Sequence, residues 1–147
     1  MSNFKILCVE DSRETQQMLT FVLAKAGYEV ITADNGQQGL EKAKAWKPAL
    51  ILVDMMMPQM SGAEFIRRLR ADLASRDVPI IVLSAYDDKA LIEEAREAGA
   101  DGYLIKTIPI EELLQVIDDH LKVGQTMLTQ RGAPSRRPRR ERFDFRK

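Results

Sequence analysis

Five polar side chains in this sequence stand where apolar runs end. Glu10 and Asp11 follow FKILCV, Asp54 closes ALILVD, Ser84 comes late in VPIIVLSA, and Lys106 closes DGYLIK. An unpaired carboxylate at the end of a buried run is expensive to keep ionised. Carboxylates gathered in one pocket also raise one another's pKa unless a cation is present. Hard divalent ions favour oxygen ligands, and Mg²⁺ takes one or two carboxylates together with waters and phosphate oxygens. A lysine opposite such a group suits an incoming anion, and a serine adds a hydroxyl donor. Acids, hydroxyl and lysine together describe a site for Mg²⁺ and a phosphoryl group. Asp54 is its candidate nucleophile, because a carboxylate can form an aspartyl-phosphate.

For these residues to meet, the chain must bring four strand ends to one rim. Apolar runs at 4–9, 28–33, 49–54, 78–85 and 101–106 read as strands. Helical periods fill 12–27, 36–46, 63–73, 89–98 and 110–121, with Gly27, Pro48 and Gly99 as stop signals. Met18, Leu19, Val22, Leu23 and Ala26 mark the expected apolar face of the first helix. Strands alternating with helices predict a parallel sheet covered on both faces. The expected architecture is a flavodoxin-like, doubly wound five-stranded sheet of order 2-1-3-4-5. In that class ligands sit at the carboxyl ends of the strands, where the winding reverses. The five polar residues all fall on that rim.

On these residues the chain resembles the receiver domain of two-component response regulators over residues 4–121. The resemblance implies that Glu10 and Asp11 are the acidic pair that helps to hold Mg²⁺. Asp54, opening D-x-x-M-P-x-M-x-G, is similar to the phosphoacceptor, and the Met56 backbone carbonyl would complete the metal shell. Ser84 resembles the hydroxyl residue that binds a phosphoryl oxygen, and Lys106 the lysine that pairs with it. Tyr103 resembles the aromatic switch residue, moving together with Ser84. Met56 and Tyr86 stand two residues after Asp54 and Ser84, where the family tunes how readily water attacks the acyl phosphate. One departure is Thr107 directly after Lys106, where the family usually has proline, often in a cis peptide; Pro109 comes later. A non-proline cis bond costs about 3 kcal/mol, so a trans loop is expected here.

The resemblance implies a phosphoacceptor signalling domain rather than an enzyme. A sensor histidine kinase or phosphotransfer protein would be the donor, and a downstream protein target would read roughly residues 88–121. It leaves open a homodimer formed on phosphorylation. Bland readings stand beside these. Asp11 could cap the first helix in a D-S-R-E capping box, Ser84 could be an ordinary strand-end hydroxyl, and Tyr103 a core aromatic. Met55, Met56, Met57 and Met60 read as loop packing, Cys8 as a small buried hydrophobe, and His120 as a surface residue. A partner-binding module without the chemistry keeps the fold, but an intact acid cluster with its lysine argues against it. A small hydrolase would need a water activator and a substrate pocket, and neither is apparent.

Composition bounds the rest. The 147 residues, 45% apolar and 30% charged, fit a globular domain. A single cysteine permits no disulfide within the chain. No apolar run approaches the ~20 residues of a membrane span, and no leader pattern is visible, so the expected location is cytoplasmic. The zero net charge conceals an asymmetry. Residues 1–124 hold 14 Lys and Arg against 20 Asp and Glu, whereas 125–147 hold 8 against 2. The expected organisation is a receiver body, 1–123, and a basic Arg/Pro-rich tail, 124–147, with no output domain behind it. The tail is too poor in apolar residues to offset its ordering entropy, so a flexible, solvated tail is the favoured reading. Its arginines also suit nucleic-acid phosphates or an anionic surface. It could instead fold back on the acidic body, or engage a partner through Phe143 and Phe145.

Overall fold

Short apolar runs buried on both sides pair in parallel, and amphipathic helices connect them. The chain, a computed structural model that describes residues 4–129 and 143–146, runs in the following order. It begins with β1 (Lys5–Val9), α1 (Arg13–Lys25), β2 (Glu29–Ala33), α2 (Gly36–Trp46) and β3 (Leu50–Val53). There follow α3 (Gly62–Ala71), a 3-10 turn at Leu73–Ser75, β4 (Ile80–Ser84), α4 (Lys89–Ala98) and β5 (Gly102–Ile105). The last elements are α5 (Ile110–Thr129) and β6 (Asp144–Arg146). The sheet order is β2-β1-β3-β4-β5-β6, so the doubly wound order expected for five strands is present, with a sixth strand added at the β5 edge. The last helix runs on to Thr129, beyond the end that its apolar spacing suggests. Residues 130–142, with the nucleic-acid and surface contacts weighed for them, lie outside the described residues.

Alternation along the strands builds two cores. Leu7, Val9, Ile51, Val53, Ile80, Val82 and Tyr103 pack against Phe65, Ile66, Leu69, Ala95 and Ala98 from α3 and α4. Ile6, Cys8, Leu50, Leu52, Ile81, Leu83 and Leu104 pack on the other side against Leu19 and Leu23 of α1 and Leu113, Val116 and Ile117 of α5. Losing one such side chain, as in Ile→Ala, costs about 2–5 kcal/mol.

Local chemistry sets where helices begin. Ser12, Asn35 and Ser61 cap α1, α2 and α3, each side chain accepting from a backbone N–H of the first turn. Ser12, rather than Asp11, is therefore the cap of α1, and Asp11 is left exposed on the rim. The buried stripe of α1 is Gln16, Leu19 and Leu23, while Met18 is exposed. Gln16 is drawn inward because its amide donates to the Glu10 and Ala33 carbonyls and to Asp34 Oδ1.

Candidate functional site at the carboxyl rim of the sheet

Strands β1 and β3 lie side by side in parallel register, Val9 against Val53, so the residues that follow them emerge together. The Asp54 N–H donates to the Val9 carbonyl at 3.1 Å and the Glu10 N–H to the Ala33 carbonyl at 3.0 Å. These bonds extend the ladder by one residue and deliver both acids to the crevice between β1 and β3. Glu10, Asp11 and Asp54 each offer one carboxylate oxygen, and these three oxygens lie within 4.8 Å of one another. Glu10 and Asp54 are buried, at 3% and 7% exposure; Asp11 faces solvent.

Each buried acid has partners. Glu10 Oε2 accepts from the Ser12 N–H at 3.0 Å, and Asp54 Oδ1 from the Met56 N–H at 3.3 Å. Their other oxygens meet one cation: Lys106 Nζ sits 2.8 Å from Glu10 Oε1 and 3.2 Å from Asp54 Oδ2. The lysine is aimed by the ladder as well, its N–H donating to the Ser84 carbonyl at 2.8 Å. Among the described residues every peptide bond is trans, Lys106–Thr107 included, and Lys106 still reaches both acids.

The electrostatics follow from burial and charge. Burial raises the pKa of Glu10, bonds from Lys106 and Ser12 oppose this, and the Asp54 charge adds to it. For Lys106, burial pulls the pKa down, but the bond to Glu10 and the charges of Asp54 and Glu10 carry it above the ordinary lysine value. Three carboxylates against one ammonium leave the pocket short of positive charge. An all-oxygen donor set of this charge fits a hard divalent cation such as Mg²⁺.

The rest of the rim is shaped around this pocket. After Asp54 the chain folds back so tightly that a Cβ on Gly62 would lie 2.4 Å from the Asp54 carbonyl oxygen and 2.8 Å from Met55 Cα. Ser84 is fully buried, its Oγ accepting from the Tyr86 N–H at 3.2 Å. Tyr103 is fully buried too, its hydroxyl donating to the Tyr86 carbonyl at 2.6 Å. Met56 and Tyr86 stand half-exposed, at 51% and 49%. Of the residues singled out in the sequence, the acids and Lys106 meet directly, while Ser84 and Tyr103 are each tied to the backbone of Tyr86.

Some residues had no role in the sequence reading. Asp101, fully buried at the opposite end of the sheet, accepts from Arg70 Nη2 at 3.0 Å and from the Ile80 N–H at 2.9 Å. Arg70 also donates to the Gly99 carbonyl at 3.0 Å, so this pair fastens α3 to the turn before β5. His120, read as a surface residue, has a side chain only 11% exposed, with Nε2 3.7 Å from Asp144 Oδ2. The strand β6 covers it. The period-two alternation of Phe143-Asp144-Phe145-Arg146 was the available signal for that strand.

A doubly wound sheet with an acid pocket and a lysine at its switch point defines a receiver-type protein. Residues 6–118 match the response regulator receiver domain family, and the chain belongs to it. The chain is 36% identical over 126 residues to the probable transcriptional regulatory protein SilR of Salmonella typhimurium, covering 86% of this chain and 54% of that protein. It thus spans about half the length of that relative. It is 32% identical over 121 residues to sporulation initiation phosphotransferase F of Bacillus subtilis, covering 82% of this chain and 96% of that protein. Among solved structures, the chemotaxis response regulator CheY4 of Vibrio cholerae superposes with a TM-score of 0.76 at 34% identity, over 81% of this chain and 99% of the other. Among the described residues no helix is long and apolar enough to cross a membrane.

Proposed function

We propose that this receiver domain takes a phosphoryl group onto Asp54 from the phosphohistidine of a kinase or phosphotransfer protein. The observation that carries the reading is the Lys106 ammonium seated between Glu10 Oε1 and Asp54 Oδ2, at 2.8 and 3.2 Å, inside a cluster of three acids. Glu10, Asp11 and Asp54, with the Met56 carbonyl, would hold Mg²⁺, which when bound supplies positive charge against the phosphoryl oxygens.

The chain's own groups do the remainder. The Met56 N–H fixes Asp54 Oδ1 and so orients the carboxylate for in-line attack. An Asp54 oxygen forms the new bond to phosphorus as the phosphorus–nitrogen bond breaks, and the imidazole of the donor leaves with that electron pair. Lys106, held protonated by its acidic neighbours, neutralises charge that spreads over the transferring oxygens. The Ser84 hydroxyl is the donor to a phosphoryl oxygen. The group adds about −1.5 to −2 charge, and Ser84 and Tyr103 transmit it to the face formed by α4, β5 and α5, where a downstream protein docks. Met56 and Tyr86, flanking the rim, screen the acyl phosphate from water and favour a long-lived phosphoryl group; decay within seconds would contradict that part.

The test is labelling with a phosphodonor and Mg²⁺. Wild-type chain should take up one alkali-labile phosphoryl group and Asp54→Asn none. Retention of the alkali-labile label in the variant would defeat the assignment.

A further inference from the structure

The last described residues form a strand on the edge of β5. The register sets Gly102 against Asp144, Tyr103 against Phe145 and Leu104 against Arg146, and the Asp144 N–H donates to the Asp101 carbonyl at 2.9 Å. Alternation sends the two kinds of side chain to opposite sides. Phe143 packs against the core under α3 and α4, with the Arg96 guanidinium 5.9 Å from its ring. Phe145 meets the Tyr103 ring at 6.2 Å between centroids, tilted by 46°. On the other side Asp144 faces His120 of α5, at 3.7 Å, and binds Arg146 Nε at 3.0 Å.

The edge of β5 is shaped to accept this strand. A Cβ on Gly102 would stand 2.9 Å from the Asp144 carbonyl oxygen, and neither backbone could give way. A glycine opposite Asp144, the first residue of the strand, lets the two chains close.

We propose that Phe143–Arg146 is an intramolecular reader of Tyr103, a strand that docks on β5 when the tyrosine ring is turned inward and is displaced when the ring turns out. The proposal rests on the reading of Asp54 as phosphoacceptor. Tyr103 and Phe145 oppose each other in register and so project from the same sheet face. An outward Tyr103 ring would swing over the edge of β5, along which β6 lies. Docking and the inward ring therefore favour each other. By linkage, whatever draws the ring inward at the site strengthens the docking, and docking strengthens binding at the site by the same factor. Recognition uses backbone pairing for affinity and alternating pockets for specificity. The docked strand spans α4, β5 and α5, so its presence or absence changes the surface that a protein partner meets.

Hydrogen exchange on the full chain tests this, with the site empty or loaded with Mg²⁺ and beryllium fluoride, a tetrahedral phosphoryl mimic. Loading should slow exchange of the Asp144–Arg146 amides by about fivefold or more, the lower end of ordinary coupling between sites. A chain carrying Phe143→Ala and Phe145→Ala should lose that protection and bind the mimic more weakly by a similar factor. The core amides of Leu7, Ile51 and Ile81 should stay protected in this variant, showing that it folds. A chain that takes up no beryllium fluoride sinks the functional reading and the coupling with it. A chain that takes it up, with exchange at 144–146 equal in both states or mimic affinity unmoved by the double substitution, overturns the coupling alone.

Discussion

At the scale of single residues, the site owes its character to a shortage of positive charge. Glu10 and Asp54 are buried beside one ammonium, and Asp11 adds a third carboxylate within reach. Ligand that binds only the folded chain stabilises it by mass action. Saturating Mg²⁺ should therefore raise the melting temperature of the wild-type chain, and Glu10→Gln should remove most of that rise; calorimetry with and without the ion reads the difference. A second prediction concerns Cys8, whose thiol is pushed up to about 12 by burial, with the Glu10 charge adding to it. The folded chain keeps this proton where the unfolded chain, with a value near 9, releases it. Stability contributed by the thiol is present below pH ~9 and is lost as pH rises toward ~12. The same burial makes Cys8 inert to thiol reagents at pH 8 until the chain is unfolded, which timed alkylation with and without denaturant would read.

At the scale of elements, the packing of one turn governs the acid pocket. The fold-back after β3 places Gly62 against the Asp54 carbonyl, backbone that cannot yield as a side-chain tip would. Gly62→Ala should cost about 1–3 kcal/mol, the ordinary range for overpacking, and should slow labelling of Asp54; urea denaturation and a labelling time course give the two numbers. At the other end of the sheet, Arg70→Ala takes the guanidinium from the fully buried Asp101. Breaking a buried pair from one side costs about 3–5 kcal/mol, again read by denaturation, with labelling of Asp54 preserved in the folded fraction. What the sequence shows at this scale has a physical pattern. Strands and helices were legible because burial on both faces leaves unbroken apolar runs and helical faces leave a 3.6 period. The rim acids and Lys106 were legible because each breaks such a run at its end. The Arg70–Asp101 pair was not, since its members lie 31 positions apart and nothing local in the sequence marks a charge that a distant turn will bury. The first helix misled for a related reason: Gln16 carries a polar amide into the core because the Glu10 and Ala33 carbonyls at the ends of β1 and β2 wait there.

For the whole molecule, the acidic body and the basic C-terminal stretch divide the chain more sharply by charge than by structure. Helix α5 runs across the expected boundary to Thr129, and Asp144–Arg146 belongs to the sheet. Composition hid this, because two phenylalanines among many arginines do not read as a core, yet a strand on an existing edge needs only backbone pairing and one apolar row. Residues 130–142 join α5 to β6 within one chain. Covalent attachment fixes the local concentration of the strand at its own sheet edge. A receptor and its peptide supplied as separate molecules would part on dilution; here the ratio of closed to open is the same in a crowded solution and a sparse one. The message carried by that edge would then report how many molecules are loaded, not how many molecules there are.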